Sequence, residues 1–128
     1  MYNFNVTRRR FLQGSAATLA MSAFGARGMD IINPPRPIRV GLIGAGWYGK
    51  SDLFRLMQVA PCDVIAVSEV DKNMLNGALE LIRQRQKSGK TPMGYNDYRK
   101  MLSDHQLDVV LIGTPDHWHA LQMIDAVK

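Results

Sequence analysis

Along the chain, apolar residues gather into three short, nearly unbroken runs: Ile38–Ile43, interrupted only by Arg39 and Gly41, then Val64–Val67, then Val109–Ile112. Strands this uniformly apolar are those covered on both faces, as in parallel sheets. Between the runs the pattern changes to a helical period. Leu53, Leu56, Met57 and Ala60 share one helix face, as do Leu75, Ala78, Leu79 and Ile82, and then Ala120, Met123, Ile124 and Val127. Each set predicts a helix with one buried stripe. Asp71 and Asp116 stand where N-caps are expected. Ser88–Pro92 reads as a turn, Met93–Tyr95 as a short edge strand and residues 97–102 as a short helix. Strands alternating with helices of this size predict an α/β fold with a doubly wound parallel sheet and right-handed crossovers. No internal repeat or low-complexity stretch interrupts it.

Composition narrows this little. At 128 residues, 46% hydrophobic and 21% charged, the chain fits one ordinary globular domain. The net charge of +5 first suggests a nucleic-acid or membrane partner. Its distribution argues otherwise. Residues 1–37 hold five arginines against Asp30, whereas residues 38–128 hold eleven basic and ten acidic side chains. The body is nearly neutral, so no nucleic-acid partner is expected. No run approaches the ~18 consecutive apolar residues of a membrane span, so no stable membrane anchor is expected either. The single cysteine, Cys62, excludes an internal disulfide and a cysteine-based zinc site, and it reads as a small packing residue.

The basic segment reads as an address. Thr7-Arg8-Arg9-Arg10-Phe11-Leu12-Gln13 is similar to the twin-arginine export signal, with Gln13 where that signal usually has lysine. A mildly apolar, charge-free stretch rich in small residues follows to Gly25, as in a signal peptide. Residues 1–30 are therefore assigned to a twin-arginine signal peptide and 31–37 to a proline-rich linker, since prolines 34, 35 and 37 exclude helix and central strand. Residues 38–128 form the body. This predicts engagement of the twin-arginine machinery and a periplasmic or otherwise exported protein.

Gly44-Ala45-Gly46-Trp47-Tyr48-Gly49 forms a G-x-G-x-x-G string, weak alone. Here it follows a strand pattern, opens a helix pattern and precedes Glu69, 20 residues after Gly49, at the end of the second apolar run. That context is the dinucleotide-binding fingerprint of a Rossmann-type fold. Gly44 permits the tight turn, Gly46 lets a pyrophosphate approach the backbone, and Gly49 lets the helix press on the sheet. The helix N-terminus offers free N–H groups to the phosphates. Glu69 can accept hydrogen bonds from both adenosine-ribose hydroxyls. A 2′-phosphate there would meet like charge, so NAD is expected and NADP disfavoured. Lys72 could offset that charge, but Asp71 stands beside it.

The third run ends in Gly113-Thr114-Pro115-Asp116-His117-Trp118-His119. In an open parallel sheet this is the ligand-bearing carboxyl edge. His117 and His119 could join Asp116 around a metal, but at a helix start two such histidines diverge by about 200°, so no metal site is assigned. Trp118 either stacks on a ligand ring or packs its helix onto the domain. His105 reads as a surface residue.

Taken in order, Ile38–Gly46, Val64–Asp71, Tyr95–Arg99 and Asp108–Ala120 with Thr114-Pro115 and His119 resemble the N-terminal domain of the glucose–fructose oxidoreductase, inositol dehydrogenase and rhizopine-catabolism family (Gfo/Idh/MocA). The resemblance spans Ile38–Lys128. It implies an oxidoreductase exchanging hydride between NAD(P) and a sugar, cyclitol or related carbohydrate. It places Gly44, Ala45, Gly46, Trp47, Tyr48 and Gly49 at the pyrophosphate, Glu69 (where the family more often has Asp) at the adenosine ribose, and Thr114, Pro115 and His119 along the nicotinamide side. The family's catalytic lysine, in an acidic-Lys-Pro motif, and its second domain, which supplies the substrate pocket and an oligomer-forming sheet, have no counterpart before Lys128. The chain is thus read as a fragment or truncated product, with a sheet incomplete at its C-terminal end, no catalytic residue of its own and no turnover alone. The full-length protein is expected to be a homo-oligomer. Two alternatives stand beside this reading: an NAD-dependent glycoside hydrolase or lyase using transient oxidation, and a non-catalytic nucleotide-binding fragment.

Overall fold

A computed structural model describes residues 36–128; the signal-peptide assignment and residues 31–35 of the linker lie outside the described residues. The order of elements is β1 (Ile38–Ile43), α1 (Trp47–Val59), β2 (Cys62–Ser68), α2 (Lys72–Arg85), β3 (Met93–Tyr95), α3 (Tyr98–Asp104), β4 (Val109–Ile112) and α4 (Asp116–Ala126). All four strands run parallel in one sheet ordered β3-β2-β1-β4. The α/β, doubly wound reading is correct, and β3 lies at an edge as expected.

The sheet is covered on both faces, which is why its strands lack a polar face. On one side Val40, Leu42, Val64 and Val67 pack with Leu53 of α1 and Leu75, Ala78 and Ile82 of α2. On the other, Ile43 and Ala66 pack with Tyr95 and with Tyr98 and Met101 of α3. Cys62 packs at the border of the first cluster, as read from the sequence. One irregularity sets the phase of β2. Val40 pairs with Val64 but Gly41 pairs with Ala66, leaving Ile65 as an extra residue. A bulge of this kind turns the strand by one residue. Val64 and Val67, three apart, therefore share the α1/α2 face while Ala66 takes the other.

Helix starts follow their caps. Asp71 accepts hydrogen bonds from the Asn73 and Met74 amides at 2.8 and 3.0 Å, and Asp97 accepts one from Arg99 at 2.9 Å. Asp116 departs from expectation: Pro115 occupies the N-cap and Asp116 is the first residue of α4, where its charge favours the helix dipole without capping it. His105 also differs. It is half-buried, with Nε2 2.8 Å from the Tyr95 hydroxyl and its ring edge-on to that tyrosine.

The largest difference lies in α4. The helix forms where its period predicts, but the stripe chosen as buried faces outward: Met123, Ile124 and Val127 are 59, 52 and 80% exposed. Its inward face carries His119, Gln122 and Asp125. The reason is positional and chemical. α4 lies against the edge strand β4 and against α3 rather than across the sheet. Its inward residues bond to the Thr114 carbonyl, the Thr114 hydroxyl and the Tyr98 hydroxyl, respectively.

Arg36 and Asp108 close the amino end of the sheet through two bonds of 2.8 Å, and Asp108 also accepts from the Arg39 amide at 2.8 Å. These contacts, led by the Arg36 hydrogen bonds, hold the Asp108 carboxyl below the usual carboxylate range. Their contribution is present above the ordinary carboxylate pKa of about 4 and is lost as pH falls through the depressed folded value. Asp108→Asn should therefore lower the melting temperature at pH 7 but change it little near pH 3. Thermal melts across that range check the narrowing, and a deficit constant with pH would show that the charge is not responsible.

Candidate cofactor site

The turn from β1 into α1 is held first by backbone hydrogen bonds. The Gly44 amide donates to the Ser68 carbonyl at 2.8 Å, and the Gly113 amide donates to the Ile43 carbonyl at 2.7 Å. Gly44 has φ +87°, a conformation that side chains disfavour. A Cβ on Gly49 would lie 2.1 Å from the Gly44 carbonyl oxygen, and one on Gly113 would lie 2.5 Å from the Gly49 Cα. Three glycines, one just after β1, one in α1 and one just after β4, thus stack in backbone contact. Gly46 differs: a Cβ there would find its nearest neighbour, the Met74 methyl, only at 4.0 Å, so space stands above that backbone.

Beyond this stack, at the carboxyl edge of the sheet, opens a cavity of about 650 Å³. Five of the predicted site residues line it: Gly44, Gly46, Glu69, Thr114 and Pro115. Trp118 lines it too and is half-exposed. The other predicted residues do not line the cavity. Ala45 and Gly49 are buried beneath it. Trp47 is 78% exposed, with Tyr48 edge-on beside it at 5.6 Å. His119 turns back: its Nε2–H donates to the Thr114 carbonyl at 2.7 Å, since a carbonyl can only accept. His117 points to solvent beside Trp118. Among the described residues no three His, Cys, Asp or Glu side chains converge as metal ligands would.

Glu69 follows β2 directly. Its Oε2 accepts from the Ala45 amide at 2.8 Å and its Oε1 from the Asp71 amide at 3.1 Å. The carboxylate therefore braces the glycine loop while each oxygen retains a free lone pair. On the far wall Tyr98 donates to Asp125 at 2.9 Å. Burial, ahead of that bond, raises the Tyr98 hydroxyl above its ordinary value, so it stays protonated at neutral pH. The Arg99 guanidinium lies 4.6 Å over the Tyr98 ring and within 4 Å of Asp97 and Asp125. The sequence reading did not pick out Gly113 or Gln122 as site residues. Gly113 carried a signal, a glycine at the carboxyl end of a strand; Gln122 carried none.

A family model described as "Oxidoreductase family, NAD-binding Rossmann fold" (Gfo/Idh/MocA) matches residues 38–128. The chain belongs to this family. Among curated relatives, a glycosyl hydrolase family 109 protein of Shewanella baltica is 27% identical over 145 aligned residues, covering 97% of this chain but 32% of the relative. The chain thus spans about a third of the length of such relatives. Among solved structures, the WlbA dehydrogenase of Chromobacterium violaceum in complex with NADH and UDP-GlcNAcA is 26% identical, with a TM-score of 0.62 over 73% of this chain and 25% of that one. A myo-inositol dehydrogenase of Lactobacillus casei in complex with NAD(H) and myo-inositol is 25% identical, with a TM-score of 0.59 over 71% of this chain and 25% of that one.

The Gfo/Idh/MocA loop seen here fits the pyrophosphate of NAD. Its backbone is bare at Gly46, and the glycine stack brings the start of α1 under the open space. A methyl group tests this directly. Gly49→Ala should cost about 3 kcal/mol of stability, because the added carbon meets immovable backbone. Gly77→Ala, in the exposed middle of α2 with nothing within 4 Å, should instead gain about 0.5 kcal/mol. Denaturant melts of both variants check the opposite signs.

Proposed function

We propose that this chain is the cofactor-binding part of an exported oxidoreductase that exchanges hydride between NAD and a carbon of a sugar, cyclitol or related carbohydrate. The observation that carries the reading is the braced glycine loop: a bare backbone at Gly46, with the Glu69 carboxylate bound to that loop at the cavity rim. The bare backbone at Gly46 and the amides of Trp47 and Tyr48 that open α1 would hold the pyrophosphate, with Gly44, Ala45 and Gly49 shaping the turn beneath it. Glu69 would accept from the adenosine-ribose hydroxyls. Thr114 and Pro115 would flank the nicotinamide half, with His119 behind them holding the Thr114 carbonyl. NAD supplies a hydride acceptor. This chain's residues bind and orient it, with Trp118 limiting water on one side. The carbohydrate class rests on the resemblance and on the relatives' substrates. In the full-length protein we expect a homo-oligomer.

The glycosyl hydrolase family 109 relatives favour a second reading, in which NAD oxidises a sugar transiently and a glycosidic bond is then eliminated. In the full-length protein, net NADH formation with a free sugar supports the first reading. Aglycone release at constant NADH supports the second.

Two outcomes test the parts this chain carries. A 2′-phosphate bears about −1.5 to −2 charge, and each unit pair of like charges at ~4 Å costs about 1 kcal/mol even in water. NADP should therefore bind the chain about 10- to 30-fold more weakly than NAD. Glu69→Gln, which keeps an acceptor for the loop, should narrow that gap to a few-fold. Titration of both cofactors into both proteins measures it, and tighter NADP binding by the unaltered chain would reverse the assignment. For export, replacing Arg8 and Arg9 together by lysine should abolish periplasmic recovery in fractionated cells. Undiminished recovery would exclude the twin-arginine route.

A further inference from the structure

Gln122 is the polar side chain that α4 buries at the cavity wall, 4% exposed, in a helix that leaves Met123 and Ile124 in water. An amide buried among apolar groups is costly unless its hydrogen bonds are made. One is made: the Thr114 hydroxyl donates to Gln122 Oε1 at 2.6 Å. Gln122 Nε2 has two protons to give and no partner among the described residues. No fully enclosed side-chain nitrogen or oxygen there is unpartnered, so this Nε2 is not sealed off, and Gln122 is part of the cavity wall. Thr114 is constrained in a complementary way. Its only hydroxyl proton is spent on Gln122, so toward a ligand its Oγ1 can only accept. The pair therefore presents one fixed acceptor beside one fixed donor. Adjacent hydroxyls of a vicinal diol, one donating and one accepting, satisfy both.

The sheet order indicates which diol. The carboxyl edge runs from Glu69 after β2, through the glycine loop after β1, to Thr114 after β4, with about 4.8 Å between neighbouring strands. A dinucleotide with one ribose at Glu69 and its pyrophosphate at Gly46 brings its second ribose to Thr114. We infer that Gln122, acting directly through Nε2 and by fixing the Thr114 hydroxyl, reads the 2′ and 3′ hydroxyls of the ribose beyond the pyrophosphate. This rests on the cofactor reading above.

ADP, ADP-ribose and NAD separate the contributions, because ADP lacks the second ribose and ADP-ribose lacks only the nicotinamide. Each is titrated calorimetrically into the full 128-residue chain, into Gln122→Met and into Thr114→Val. The near-isosteric methionine should weaken ADP-ribose and NAD each about fivefold to tenfold, the effect of one lost hydrogen bond, and leave ADP within about twofold. Thr114→Val should give the same pattern, so the comparison survives if one variant folds poorly. The double variant should bind little worse than either single one, since the two residues act as a unit. Equal weakening of all three ligands would mark Gln122 as merely structural. Weakening of NAD alone would move the contact to the nicotinamide, and unchanged binding would remove it; each result overturns the inference. Failure of the unaltered chain to bind NAD and ADP overturns the cofactor reading as well. Loss confined to the variants bears on Gln122 and Thr114 alone.

Discussion

Backbone touching backbone at Gly44, Gly49 and Gly113 is the constraint on which the rest of the carboxyl edge depends. Protein interiors are packed as densely as organic crystals, and a single methylene is felt. Here even a Cβ is too much. Because α1 starts flush against the ends of β1 and β4, its first amides stand directly over the sheet edge. Glu69 can then reach the Ala45 amide from the neighbouring strand, and Thr114 emerges level with the loop. The contact contributes little attraction of its own. It sets the distance at which every other group at the edge operates.

The second organising element is the polar inward face of α4. A helix at the border of a sheet has little apolar surface to cover, and this one is oriented by three side-chain bonds instead. Two converge on Thr114, one at its carbonyl and one at its hydroxyl. The third joins Asp125 to Tyr98 and so ties α4 to α3. Such bonds are directional where hydrophobic contact is not. Within residues 36–128 these bonds give the helix a defined rotation.

What could be read from the sequence follows from the range of the forces involved. Strands and helices came from local periodicity, and the Asp71 cap bonds amides two or three residues away. The glycine loop was legible because bare backbone can be written with only one residue. Three features were not legible. The rotation of α4 follows from its bonds to Thr114 and Tyr98, which a hydrophobic count does not register. Gly113 answers to Gly49, far away in the chain. The His105 contact with Tyr95 crosses from one connection to a strand end, and neither residue type announces the other. Of the candidate site, the residues contributed by β1 and β2 were recovered more fully than the wall built by α4.

The extra residue at Ile65 has an arithmetic consequence. Side chains on a strand alternate between two faces, so the face on which a given residue emerges depends on whether the count before it is odd or even. From Cys62 the strand enters in step with β1, and it leaves at Ser68 one residue ahead. With an unbulged β2 every side chain after the pairing of Val40 with Val64 would change sides, and Glu69 with them. The acidic group that braces the loop is thus addressed by a parity rather than by its identity alone. A relative that dropped one residue here could keep every motif letter and still aim its carboxylate away from the loop.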